Sequence, residues 1–182
     1  YVSPVTKTLE LRYRQAFRPG TVSFEGAISR DTLEPDETRA YLFGTGAFRL
    51  PRDYILSFDV KLTSDDSYLI DYGYSSEDRL ESEVAIERVR SEEFIRTRAI
   101  GLRTLRDSET DIQDEIPAVV TDAIWNRRFE VFGGRGGLTF AAHAHVRESS
   151  DDDVGRDVAR ISGSFDWARS WEFGPGLLAT TR

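Results

Sequence analysis

The stretch "YILSFDVKLTSDDSYLIDYGYSSEDRLESEVAIERVRSEEF", Tyr54–Phe94, decides how the rest of the chain is read. Tyr54, Leu56, Phe58, Val60 and Leu62 alternate with Ser57, Asp59, Lys61 and Thr63. After an acidic, tyrosine-rich connection, Leu80, Val84 and Ile86 alternate with Glu81, Glu83 and Glu87. A period of two marks a strand with one apolar and one polar face. The connection between these two strands, 64–78, is long, whereas the next turn, near Ser91, is tight.

The same contrast extends in both directions. Ten alternating runs are legible, at about 6–17, 21–30, 38–50, 54–63, 79–90, 93–106, 118–132, 137–149, 155–168 and 171–182. No helical spacing is sustained anywhere. Several runs far exceed the usual strand of about 5–6 residues; they suit a tilted membrane span, which needs about 9–11. The turns at Arg18-Pro19-Gly20, Pro51-Arg52-Asp53, Ser91, 133–136 and Ser170 are short, and they alternate strictly with longer loops at 31–37, 64–78, 107–117 and 150–154. In an up-and-down meander, successive connections fall at opposite ends of the sheet. One end then carries only short turns and the other only long loops, as in outer-membrane barrels. A Greek-key sandwich has no reason to keep that order.

The expectation is therefore an all-β fold: an antiparallel up-and-down meander of about ten strands, with residues 1–182 forming one segment of a large transmembrane outer-membrane β-barrel. The chain reads as a piece of a longer protein. The 64–78 connection is expected at the outer surface, with its tyrosines beginning and ending an aromatic girdle. Two runs leave the faces ambiguous: Gly44 and Gly46 interrupt one, and Arg96 and Arg98 share parity with Ile100 and Leu102 in another. Arg127 likewise shares the parity of Trp125 and Phe129.

Composition narrows the function. Thirty-two acidic against twenty-four basic residues give a net charge of −8, which disfavours nucleic acid as a partner, since that needs clustered cations. Cysteine is absent, which removes disulfides and thiol chemistry. No apolar run is long enough for a membrane helix. On the polar face Glu10, Arg12, Arg14, Glu25, Asp59, Lys61, Glu81, Glu83, Glu87, Arg128, Glu130, His143, His145 and Arg147 are candidates to line a lumen. Arg160 belongs to the same set by parity. So many charges cannot form a dry core; the face borders a water-filled lumen or bulk solvent.

No catalytic motif is present. Glu81/Glu83 and Asp65/Asp66 could be glycosidase carboxylates, yet alternating carboxylates occur on nearly every strand, and a charge ladder explains them. His143 and His145 share a face but lack a third ligand. "SSDDDVGRD" is oxygen-rich without the spacing of an EF-hand. "GGRGG" neither follows a buried parallel strand nor opens a helix, so it reads as a turn and not a phosphate cradle. No cofactor or metal is expected, and no enzyme.

The wording carries a resemblance. "TKTLELRYRQAF", "LTSDDSYLIDY", "RLESEVAIER" and "EIPAVVTDAIWNRRFE", followed by "AHAHV" and "VARISGSFDW", resemble the barrel of the LPS-assembly protein LptD family, also called organic solvent tolerance protein. The most specific part is a loop motif of Ser64, Asp65, Asp66, Tyr68 and Asp71. The resemblance spans roughly Thr6 to Trp171. It implies a non-catalytic translocon that inserts lipopolysaccharide into the outer leaflet of a Gram-negative outer membrane. It also implies an LptE-type plug lipoprotein and periplasmic lipopolysaccharide-bridge proteins as partners. The chain departs from the family pattern in lacking the N-terminal jelly-roll domain, the family cysteines and the barrel-closing strands. Two other readings stay open: a soluble saccharide-binding β-sandwich, and a generic porin-type channel.

Overall fold

A computed structural model describes residues 6–31, 38–106, 108–109, 117–147 and 157–182. Ten strands run in chain order: β1 (Thr6–Phe17), β2 (Gly20–Asp31), β3 (Arg39–Arg49), β4 (Tyr54–Thr63), β5 (Arg79–Arg90), β6 (Glu93–Thr104), β7 (Val119–Val131), β8 (Gly134–Val146), β9 (Val158–Phe173) and β10 (Leu177–Thr181). Each pairs antiparallel with its neighbour in sequence, in a single sheet ordered β1 to β10. The sheet is not closed. Both expectations about fold class, all-β and an up-and-down meander, hold. A sandwich would need a second sheet over the apolar face, and among the described residues every strand lies in this one sheet.

The strand limits match the sequence pattern to within two residues except in β8, β9 and β10. β8 begins at Gly134, not at 137, because the turn before it needs only Phe132 and Gly133, both in the left-handed region at φ 52° and 69°. β9 is shifted along the chain from the expected 155–168. It continues through Ser170, where a turn was expected, as far as Phe173; the turn is Gly174-Pro175-Gly176. Ser170 instead sits opposite Thr180.

The register settles the ambiguous faces. Arg96 and Arg98 lie opposite Glu87 and Ala85 on β5, and Arg98 opposite Asp122 on β7, so both belong to the polar face. Ile100 and Leu102 share that face. Arg127 lies opposite Glu93 on the apolar face. In β3 the glycines are landing sites for rings. A Cβ at Gly44 would stand 2.5 Å from the Phe24 ring, and one at Gly46 2.5 Å from Phe58.

The apolar face is unpartnered along its length. Leu11 is 65% exposed, Phe165 63% and Ile161 83%. Among the described residues the one cluster of buried apolar side chains, Leu69, Leu80 and Leu105, sits at the long-loop end, with Tyr41, Phe43 and Tyr74 packed against it.

Candidate functional site

The candidate surface has two parts, the polar face and a loop folded onto one end of it. Cross-strand partners share a face, so the register can be followed from strand to strand. Arg12 opposes Glu25 and Arg14 opposes Ser23; Asp59 opposes both Thr45 and Glu83; Glu87 opposes Arg96. Arg98 opposes Asp122, which in turn opposes His143, and His145 lies opposite Val120. Arg128 faces Gly137, and Glu130 faces Arg135. Glu10, Lys61 and Glu81 follow by alternation within β1, β4 and β5. Arg147 lies just beyond β8, where its N–H donates to Asp157 Oδ1 at 3.0 Å.

A continuous ionic band crosses the middle of this face. Arg96 Nη2 reaches Glu83 at 3.2 Å, and the other oxygen of Glu83 accepts from Arg98 at 3.1 Å. Arg98 also meets Asp122 at 2.8 Å, and Asp122 takes the His143 Nδ1 at 2.6 Å. Asp59 and Glu83 are like charges placed opposite each other, an arrangement that destabilises a sheet; the two arginines on Glu83 offset it. His143 Nδ1 is thus held by a carboxylate. Among the described residues no group of three metal-type ligands gathers. The oxygen-rich segment "SSDDDVGRD", read as a polar loop, lies outside the described residues except Asp157.

The loop after β4 explains the other end. β3 carries Tyr41 and Phe43 on the polar face, which would be costly if left wet. The loop covers them. A one-turn helix, α1 (Tyr68–Asp71), buries Tyr68 and Leu69 completely. Tyr41 packs against Phe43, Tyr68 and Tyr74 with ring centroids 4.9, 6.4 and 4.6 Å apart. The phenol of Tyr68 bonds Ser29 Oγ at 2.7 Å, and Tyr74 donates to Glu10 at 2.9 Å. Those partners belong to the polar face. The tyrosines therefore do not form the expected girdle. Tyr54, Trp125, Trp167 and Trp171 lie on the apolar face, toward the short turns.

Arg39, which sequence reasoning missed, fastens the loop. It is 4% exposed. Its guanidinium forks onto Asp65 at 3.0 and 2.6 Å, and reaches Ser67 at 2.8 Å and Asp71 at 2.9 Å. It also stands 5.2 Å from the Tyr68 ring centre. The motif residues divide the work. Ser64 donates to Asp65 at 2.7 Å, Asp65 accepts the Tyr68 N–H at 2.9 Å, and Asp66 pairs with Arg103 at 2.9 Å. Burial alone would raise the Asp65 carboxyl, but Arg39, Ser64 and the Tyr68 amide outweigh it and bring it down to about 2. Burial pushes the Tyr68 and Tyr74 phenols up, with the Glu10 carboxylate adding to the rise at Tyr74. The signal for Arg39 was present: one arginine opening a strand whose next polar-face positions are Tyr41 and Phe43.

Where the loop leaves β4, the ladder to β5 stops at Asp59 and Glu83. Beyond it Ser82 Oγ stands in for a rung, accepting from the Lys61 amide at 2.9 Å and donating to its carbonyl at 3.2 Å. Lys61 Nζ then holds Glu77 at 2.7 Å. A second loop cluster joins Arg79, Arg106, Asp78 and Glu109, with Arg79 2.5 Å and Arg106 3.0 Å from Glu109. The Arg79 bond, with Thr104 and Arg106, lowers the Glu109 carboxyl to about 2.

Compared with known proteins, the chain matches no curated protein and no solved structure. A family model described as LPS transport system D, LptD, matches residues 37–182. The match begins after β2, so it leaves out "TKTLELRYRQAF". The β1–β2 hairpin is nevertheless tied to the matched part by the β2–β3 ladder and by the Tyr68 and Tyr74 bonds. With the matched region spanning eight of the ten strands and the docked loop, the chain belongs to the LptD family of lipopolysaccharide-transport proteins.

Proposed function

We propose that the chain is a wall segment of a large outer-membrane barrel that delivers lipopolysaccharide to the outer leaflet without making or breaking a bond. The observation that carries this reading is the sheet itself. One face is apolar and unpartnered, the other is charged and bears the ionic band, in a chain of a lipopolysaccharide-transport family. In this reading the apolar face meets lipid and the acyl chains. The face bearing Glu10, Arg12, Arg14, Glu25, Asp59, Lys61, Glu81, Glu83, Glu87, Arg128, Glu130, His143, His145 and Arg147 lines the lumen used by the sugar. The two open edges, on β1 and β10, are then paired by further strands of a larger barrel. An LptE-type plug and periplasmic bridge proteins are the partners the family implies.

The test is depletion of the full-length protein in a Gram-negative host. The protein is expected in the outer-membrane fraction, with electrophoretic mobility that shifts on heating, and newly made lipopolysaccharide should fail to reach the cell surface. Undiminished surface delivery with loss of ion conductance would replace this reading with a diffusion channel. Recovery of the protein in the soluble fraction would overturn the barrel.

A further inference from the structure

We propose that a hollow on the polar face between β6 and β9 is a subsite for a phosphate group carried on a saccharide. The proposal rests on the reading of this face as the lumen. Ala141 and Ser162 oppose each other on β8 and β9, and between them and β6 their short side chains leave a hollow of about 370 Å³. Arg96, Arg98, His143 and Arg160 line it together with Asp122.

The hollow has cations to spare. Arg98 is fully engaged by Asp122 and Glu83. Arg96 gives only Nη2 to Glu83, at 3.2 Å, while its buried Nε has no partner among the described residues. His143 spends Nδ1 on Asp122. Arg160, opposite His143 in the register, has no ion pair among the described residues. Three guanidiniums and the His143 imidazole thus line the hollow with one carboxylate, Asp122, while Glu83 and Glu87 approach Arg96 from β5, in a chain whose net charge is −8. Arginine forks match phosphate oxygens in geometry and are more weakly hydrated than ammonium groups. An adjacent hollow of about 400 Å³, lined by Ser57, Asp59, Lys61, Glu81 and Glu83, is acidic and would repel the same group.

The contrast between the two hollows supplies the experiment. A photo-crosslinking amino acid is placed at Ser162 or at Ser57 in the full-length protein, assembled in the outer membrane with its natural partners. Lipopolysaccharide is expected to crosslink more strongly at Ser162. The Ser162 crosslink should fall about tenfold when Arg96→Gln and Arg160→Gln are combined, the scale of one lost charge-assisted contact. It should fall equally when the unchanged protein is offered enzymatically dephosphorylated lipopolysaccharide, which keeps the test valid if the double variant assembles poorly. A Ser162 crosslink that survives dephosphorylation overturns the subsite. So do equal crosslinks at both positions, though these leave passage along the polar face standing. No crosslink at either position overturns both.

Discussion

Arg39 concentrates the cost and the benefit of docking the loop. Its guanidinium is buried, while Asp65 and Asp71 keep about a third of their side-chain surface exposed, at 34% and 36%. Removing one member of a buried pair costs about 3–5 kcal/mol; solvent screening of these carboxylates reduces that to on the order of 2 kcal/mol. Arg39→Ala is therefore expected to raise amide exchange across Ile70–Tyr74 about thirtyfold, leaving the β3–β4 ladder unchanged. Arg39→Lys should rescue little, since one ammonium cannot replace the fork onto Asp65. Equal exchange in Arg39→Ala and the parent would show that the tyrosines alone hold the loop. The pH window follows from the shifts. The folded Asp65 carboxyl lies at about 2, below its ordinary value near 3.9. Its contribution is complete above that ordinary value and disappears as pH falls toward 2. Tyr68 and Tyr74 are raised above 10.0, so their contribution is complete below about pH 10 and fades as pH rises through the folded values. Protection of the loop amides, after correction for intrinsic exchange, is expected to hold from about pH 4 to 10 and to weaken on both sides. A loss of protection centred near pH 6.5 would point to a histidine instead.

At the scale of elements, the strands were readable because each has one side that tolerates water and one that does not, and a period of two records that difference residue by residue. The reading weakened wherever a second constraint acted. β3 bears Tyr41 and Phe43 on the polar side because the loop covers them, so its pattern looks blurred until the loop is placed. Arg96 and Arg98 share parity with Ile100 and Leu102, and only the partners across the ladder, Glu87 on β5 and Asp122 on β7, assign the face. The turn expected at Ser170 failed for a different reason. Trp171-Glu172-Phe173 continues the alternation of β9, whereas Gly174-Pro175-Gly176 is the true breaker, with φ of 56° and 100° at its glycines. The docking of Tyr68 on Ser29 and of Tyr74 on Glu10 joins residues 39 and 64 positions apart; no local pattern records such a contact. Gly44 offers a test at this scale. A Cβ there would strike the Phe24 ring, so Gly44→Val should cost about 1–3 kcal/mol through overpacking. The measurement is the temperature at which the heat-dependent mobility shift of the full-length protein occurs. The double variant Gly44→Val with Phe24→Ala should recover most of the loss; no recovery would mean that the strain lies in the backbone.

At the scale of the whole molecule, the question is which solvent each face meets. An apolar surface running across all ten strands would drive aggregation in water, but it is the expected exterior of a barrel in lipid. The polar surface opposite is charged and laced by ion pairs along its central band, as a wall exposed to a hydrated interior can be. The two environments assign opposite signs to one pair of substitutions. Phe165 and Ser164 are neighbours near the middle of β9 on opposite faces, opposite Leu138 and Thr139 respectively. In a membrane barrel Phe165→Lys buries a charge in hydrocarbon and should cost about 2–4 kcal/mol, while Ser164→Lys on the lumen side should cost close to nothing. In a water-soluble sheet Phe165→Lys would remove a 63% exposed aromatic ring and should improve solubility. Unfolding of the full-length protein from lipid vesicles in denaturant, followed by tryptophan fluorescence, separates the cases. A large loss at Phe165 beside a small one at Ser164 fits the barrel wall, and comparable small effects at both would place the apolar face in water.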